Sequence, residues 1–279
     1  MKKAQNYRLL ALDLDETLLN PESVLSDYAV GVLRAIAEKD VKVVICTGRT
    51  YTMSLLYLRQ IGLNNPGIFC NGAQIRAALD GSVLHEYPLP IEDVKLAVRL
   101  GEETGGRPRV YLGDRICVSH TIESDKVYSE RVCTPIEAVG DLCAFLNGLP
   151  EGEAPLKFIN SMSDPEMVPI LLEKSRSVFQ DRLYITQSMS VMRTMFVEYV
   201  NGSVSKGKSV KIVADMLGIS KDEIVAAGDY LNDLSMFEEA GLSLAPQNAH
   251  PSVLEAASVV CLSNAEDGIP KKLEEIFLK

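Results

Sequence analysis

The sequence predicts an α/β protein, a Rossmann-like parallel-sheet core into which a second α/β domain is inserted. Three observations carry this reading. Short, nearly continuous apolar runs alternate with helix patterns at both ends of the chain. The turn signals Asn71-Gly72 and Asp80-Gly81 break that alternation after the third strand. The length of 279 residues leaves room for roughly two domains.

Taken in order, residues 8–14 (RLLALDL) read as a buried parallel strand. After a loop with Asn20-Pro21, Ser26 is placed to cap a helix whose Val30, Leu33 and Ala37 share one face. Residues 41–46 (VKVVIC) are β-branched and apolar, a second buried strand. Residues 50–61 read as a helix closed by Gly62, and 67–70 as a third strand, completing βαβαβ. Residues 76–78 and 83–87 then read as antiparallel strands. From 84 to 190 the chain carries its own patterns: helices over 91–103 and 166–179, strands over 109–118, 156–159 and 183–187, and a linker-like stretch at 147–155. The parallel pattern is expected to resume with a strand at 196–200 and a helix at 208–217. A strand at 223–227, a helix at 231–240, a short strand at 242–245 and a helix at 270–278 follow. The expected domains are therefore 1–83 with 191–279 as core, and 84–190 as the insertion.

Composition limits the functions available. Lys and Arg number 28 against 38 Asp and Glu, a formal net charge of −10. That balance argues against binding nucleic acid, whose phosphate backbone needs a basic face. A small phosphorylated ligand is compatible with it, provided a metal and a few local cations neutralise the phosphate. With 47% hydrophobic residues the chain can build a core without staples. No run approaches the roughly 18 apolar residues of a membrane span. Asp13 and Asp15 cut the apolar stretch behind Met1-Lys2-Lys3 too early for a secretory signal. Six cysteines without Cys-x-x-Cys or metal-finger spacing read as thiols in a reducing cytoplasm. His85, His120 and His250 lie far apart and form no zinc motif. A cytoplasmic protein with no membrane or nucleic-acid partner is expected, of unspecified oligomeric state.

In an open parallel sheet, ligands sit just beyond the carboxyl ends of the strands. Asp13-Leu14-Asp15-Glu16-Thr17 follows the first strand and Thr47-Gly48-Arg49 the second. Lys206 lies in the loop after 196–200, and Gly228-Asp229-Tyr230-Leu231-Asn232-Asp233 follows 223–227. Mg²⁺ takes one or two carboxylates, with waters and a substrate phosphate completing its shell, and Asp13 and Asp229 can supply those. A carboxylate beside Mg²⁺ and a lysine stays ionised and can attack phosphorus. Thr47 and neighbouring backbone N–H groups, at a helix start, can hold phosphoryl oxygens.

The set D-x-D-x-T, T-G-R, S-K-G and G-D-x-x-N-D resembles the four motifs of the haloacid dehalogenase superfamily. The DLDETLL stretch, Asn71-Gly72 and the large α/β insertion resemble its Cof-type sugar-phosphatase branch, across essentially the whole chain. The resemblance implies a Mg²⁺-dependent phosphatase of small phosphorylated metabolites, sugar phosphates first. It implies Asp13 as nucleophile and Asp15 as general acid/base, with the Asp15 carbonyl also near the metal. Asp13 and Asp229 match the Mg²⁺ ligands, with Asp233 in or just behind the shell. Thr47, Gly48, Lys206, Asn232 and the Leu14 N–H match the phosphate-binding groups, and the insertion matches a cap that selects substrate. Glu16 departs from the pattern, standing where these proteins more often have Gly; it restricts φ and adds negative charge.

Three rival readings are open at this stage. Residues 202–209 satisfy G-x-x-x-x-G-K-[ST], a P-loop with Lys208 on the phosphates. That reading leaves the carboxylate clusters unexplained. A phosphotransferase or mutase could use the same aspartyl-phosphate, and a catalytically silent protein could merely bind the phospho-ligand.

Overall fold

The first strand, β1 (Leu9–Leu12), is buried at every position, as a strand with neighbours on both sides and helices on both faces must be. Helix α1 (Asp27–Ala37) follows, its first turn capped by the Ser26 hydroxyl, which accepts from the Ala29 N–H at 2.9 Å. Then come β2 (Lys42–Ile45), α2 (Tyr51–Ile61) and β3 (Pro66–Phe69). Gly62 closes α2 at φ +77°, where a side chain would be strained. Strands β4 (Gln74–Ala77) and β5 (Val83–Glu86) join β3 in a three-stranded sheet of order β3-β4-β5. The computed structural model describes residues 6–78, 80–189 and 194–279.

The middle of the chain builds α3 (Ile91–Glu103), β6 (Gly106–Leu112), β7 (Arg115–Val118), α4 (Glu123–Val132), β8 (Ile136–Ala138) and α5 (Leu142–Asn147). It continues through β9 (Lys157–Met162), α6 (Met167–Phe179), β10 (Leu183–Met189) and β11 (Met195–Asn201). These strands form one sheet of order β10-β11-β9-β6-β7-β8. One face of it, with Val110, Phe158, Val197 and Tyr199, packs with Val94, Val98 and Leu171 from α3 and α6.

The chain closes with α7 (Lys206–Leu217), β12 (Ile224–Ala227), α8 (Leu234–Glu238), β13 (Leu242–Pro246), α9 (Pro251–Ala256), β14 (Val259–Cys261) and α10 (Gly268–Phe277). The parallel sheet has the order β14-β13-β12-β1-β2, with every pairing parallel. Its strand order reverses between β1 and β12, the switch point at which an open α/β sheet leaves a crevice. Its core gathers Leu9, Ala11, Val44, Val210, Val213, Ile224 and Met236. Beyond β2, β3 touches the sheet through one parallel bridge, Cys46 to Ile68, before pairing with β4.

The expected layout is corrected at three places. The segment 196–200 is not a strand of the parallel core. As part of β11 it lies between β10 and β9, antiparallel to both. The chain divides into Met1–Arg49, Ser54–His85 and Ser205–Lys279 on one hand and Thr50–Met53 with Glu86–Val204 on the other. The return to the core thus comes at Ser205, not at 191, and the expected boundary residue Ser190 lies outside the described residues. The segment 109–118 is likewise not one strand but a hairpin, with Leu112 paired to Arg115 and Gly113 at φ +59° in the two-residue turn. Among the described residues no helix is long and apolar enough to cross a membrane. Cys46, Cys70, Cys117 and Cys261 are buried, Cys143 is half-buried and Cys133 is exposed.

Candidate active site

The loops leaving β1, β2 and β12 are adjacent because their strands are. Asp13 continues β1 by one residue, its N–H donating to the Ala227 carbonyl at 3.0 Å. Asp229 and Asp233 stand on the loop after β12, and Lys206 is the first residue of α7, capped by Ser205. The Lys206 Nζ donates to Asp13 Oδ1 and to Asp233 Oδ1, both at 2.6 Å, with only 1% of its surface exposed. Ligand oxygens of Asp13, Asp229 and Asp233 all fall within 4.8 Å of one another. Asp233 is braced further, its Oδ2 accepting the N–H groups of Asp229 and Tyr230 at 3.0 Å each. The Thr17 hydroxyl donates to Asp229 Oδ1 at 2.8 Å.

Three buried carboxylates share one ammonium. Burial raises the Asp13 pKa to about 7, against the pull of Lys206 and helped by the nearby charges of Asp233 and Asp15. Burial and then Asp13 and Asp233 push Asp229 well above the usual carboxylate range. Burial works against the Lys206 ammonium, but Asp13 and Asp233 outweigh it and hold its pKa well above the ordinary lysine value. With all three ionised, the cluster carries more negative charge than its lysine balances, on hard oxygen donors held close together, and the raised pKa values of Asp13 and Asp229 reflect that excess together with burial. A divalent cation such as Mg²⁺ fits that donor set.

The remaining expected residues are placed as follows. Thr47 is fully buried; its hydroxyl accepts the Arg49 N–H at 3.1 Å and its own N–H donates to the Ile68 carbonyl at 2.9 Å. Gly48 lies between them in the same turn. Leu14 is buried, its carbonyl accepting the N–H groups of Leu18 and Leu19. Asn232 donates to the Asn71 side chain at 3.1 Å. Asp15 stands apart: its carboxylate is not in the acidic cluster but is gripped by Arg49, Nε to Oδ2 at 2.8 Å and Nη2 to Oδ1 at 2.6 Å. Arg49 in turn stacks on the Tyr57 ring, 5.1 Å from its centroid, and the Tyr57 hydroxyl donates to the Ser23 carbonyl at 3.0 Å.

Arg49, Thr17 and Asn71 are thus part of the site, although the sequence reading assigned them no task. Each lies inside a stretch it quoted, but spacing does not reveal a side-chain partner. Asn71 sits in a run of three left-handed residues, Cys70, Asn71 and Gly72, at φ +50°, +54° and +102°. A Cβ on Gly72 would lie 2.4 Å from the Ser205 carbonyl oxygen, so only glycine lets this loop lie against the start of α7. The P-loop reading does not survive: Lys208 is exposed while Lys206 is buried, and the strand ahead of the motif is antiparallel β11.

Glu16 also adopts the left-handed region, at φ +57°, with its carbonyl accepting Asn248 Nδ2 at 2.8 Å. That conformation costs an L-residue about 1 kcal/mol. Glu16→Gly is therefore expected to raise the unfolding free energy by roughly 0.5–1 kcal/mol in a denaturant titration. A loss of stability would mean that contacts of the glutamate side chain outweigh the strain.

A family model described as haloacid dehalogenase-like hydrolase matches residues 10–273. The chain is 27% identical to the 5-amino-6-(5-phospho-D-ribitylamino)uracil phosphatase YitU of Bacillus subtilis, over 96% of this chain and 97% of the relative. It is 27% identical to the pyridoxal phosphate phosphatase YbhA of Escherichia coli, over 94% and 96%. A crystal structure from Thermotoga maritima superposes with a TM-score of 0.77 at 27% identity, covering 96% of this chain and 97% of that one. With the match running from β1 into α10, the chain belongs to the haloacid dehalogenase-like hydrolases, in their Cof-type branch, and is a phosphatase of that superfamily.

Proposed function

We propose that the protein is a Mg²⁺-dependent phosphomonoester hydrolase of the cytoplasm that works through an aspartyl-phosphate on Asp13, with sugar phosphates as its substrate class. The carrying observation is the Lys206 ammonium held between Asp13 and Asp233, with Asp229 within 4.8 Å. The curated relatives support a small phosphorylated metabolite, since YitU is named for a phosphoribityl compound and YbhA for pyridoxal phosphate.

Asp13 and Asp229 are the side chains to hold Mg²⁺, with the Asp15 carbonyl beside them and Asp233 in or just behind the shell. When bound, the ion supplies positive charge against the phosphoryl oxygens and offsets the carboxylate excess. The chain's own groups do the rest. An Asp13 oxygen attacks phosphorus in line, and the ester P–O bond breaks. Asp15 gives the leaving oxygen its proton. Asp15 then takes a proton from the water that attacks Asp13-phosphate, and inorganic phosphate departs. Thr47, Gly48, Asn232, Lys206 and the Leu14 N–H orient the phosphoryl oxygens, so the acceleration rests on position and charge.

Lysine replacement tests this assignment. Lys206→Ala is expected to lower kcat/KM by at least ~10²-fold, because a buried ammonium beside the transferring group disappears. Lys208→Ala, on an exposed side chain, is expected to change it less than about threefold. The reverse ranking, measured on one phosphate ester with Mg²⁺ present, would overturn the reading.

A further inference from the structure

The sheet of the second unit has two unlike faces. The face opposite α3 and α6 carries, by register, Arg107, Arg109 and Tyr111 of β6, Lys157, Ile159 and Ser161 of β9, and Phe196 and Glu198 of β11, with α4 packed on it. Lys157 is ion-paired with Glu198. The two arginines share a single carboxylate, that of Asp125 on α4. Arg107 binds it through Nη1 at 2.9 Å and Nη2 at 2.7 Å, and Arg109 through Nη2 at 3.1 Å. Asp125 has nothing further to offer, since its Oδ2 also accepts the Ile122 N–H at 2.9 Å.

Among the described residues, that leaves one guanidinium charge without a counter-charge in a buried place. Arg109 is 6% exposed, and its Nε and Nη1 have no hydrogen-bond partner among the described residues. The Arg107 Nε and the Ser161 hydroxyl, on a residue 6% exposed and directly opposite Arg107 in the sheet, lack one as well. Native proteins rarely leave such groups unpaired, because burial without a partner costs the full desolvation of the donor. The Tyr128 ring lies 4.8 Å from the Arg109 guanidinium carbon, and Phe196 meets Tyr128 edge-on at 6.4 Å. These rings shield the cation from bulk water. A water molecule could accept from the orphaned N–H groups but would not balance the charge.

We propose that Arg109 and Ser161, with Arg107 beside them, form an oxyanion-binding subsite within the second unit. Its ligand is a phosphate, sulfate or carboxylate group. Arg109 Nε and Nη1 lie on opposite edges of the guanidinium, so each presents a separate charged donor, and either can bind an oxyanion. In a chain of net charge −10 this is a local excess of positive charge with the donors already oriented.

The test uses the whole protein and the tetrahedral probes selenate and sulfate. Crystals soaked in selenate are expected to show an anomalous peak within hydrogen-bond reach of Arg109 Nε or Nη1 and of the Ser161 hydroxyl. By calorimetry, Arg109→Lys and Ser161→Ala are each expected to weaken sulfate binding at this subsite about tenfold, the loss of a charge-assisted hydrogen bond. Ser161→Ala removes one hydroxyl and no charge, so it keeps the test decisive should Arg109→Lys fold poorly. Water alone at the position, or sulfate affinity unchanged in the folded variants, would overturn the proposal.

A second arm separates two sources of the anion and, unlike the first, rests on the phosphatase reading. Fructose 1,6-bisphosphate and glucose 6-phosphate are compared in both variants. A selective loss on the bisphosphate assigns the subsite to a distal group of the substrate. An equal response, with sulfate bound in the wild type, assigns it to a free anion. If neither ester turns over, the sugar-phosphate reading fails while the anion measurement still stands or falls by itself.

Discussion

Asp13→Asn is expected to abolish turnover of every phosphate ester, by on the order of 10⁴-fold or more, the scale seen when a covalent nucleophile is removed. The amide has nearly the same shape, so the loss reports chemistry if the fold survives. It is expected to survive. Asp13 lies among Asp229 and Asp233 with only Lys206 to offset three buried carboxylates, and neutralising one of them removes repulsion as well as attraction. Thermal unfolding without added metal should therefore shift little, whereas the stabilisation given by millimolar Mg²⁺ should shrink, because one anionic ligand is gone. A variant that loses activity together with its melting transition would place Asp13 in the architecture. A variant that keeps activity would move the nucleophile elsewhere.

That the cluster could be found without coordinates follows from topology. Side chains at the ends of adjacent parallel strands are neighbours whatever the loops do, so a sequence that shows the strands also shows which loops meet. The runs LLAL, KVVI and IVAA are nearly or wholly buried in the structure, and a buried run is visible in hydropathy. The misreading of 196–200 has the same root. The segment FVEYV is buried because β11 lies inside its sheet, flanked by β10 and β9. Hydropathy reports burial and cannot tell a parallel partner from an antiparallel one. Glu198 in its middle was the contrary sign, since a buried glutamate requires a paired cation, here Lys157.

Pairings across the chain were illegible for another reason. Arg49 and Asp15 are 34 residues apart, and Arg107 and Arg109 meet Asp125 only because α4 folds onto β6. Helix α4 itself is polar along most of its length, so it offered no apolar spacing to detect. The cap of α1 fared better because it is local. Ser26 accepts from an N–H three residues ahead, a relation contained in the sequence itself, whereas the same relation at Ser205 went unread because the helix was expected to begin only at 208.

The grip of Arg49 on Asp15 sharpens the second large effect. Asp15→Asn keeps the side chain's shape but can neither give nor take the proton that the reaction moves. A general acid matters in proportion to how poor the leaving group is. Sugar phosphates expel an alkoxide and need the proton, whereas p-nitrophenyl phosphate expels a stable phenolate and hardly does. Attack by Asp13 should therefore survive in the variant on the aryl ester and nearly vanish on the sugar phosphate. Hydrolysis of Asp13-phosphate needs Asp15 as base with either substrate. The variant is thus expected to release a burst of nitrophenol close to one per active site, then turn over slowly with phospho-Asp13 trapped. The structure supplies the competing explanation, because asparagine offers Arg49 one carbonyl oxygen in place of two carboxylate oxygens at 2.6 and 2.8 Å. If Asp15 only anchors Arg49, then Arg49→Gln should reproduce the Asp15→Asn behaviour, with equal losses on both esters and no burst in either. If Asp15 moves the proton, Arg49→Gln should lower both steps together, while the burst and the dependence on leaving group belong to Asp15→Asn alone.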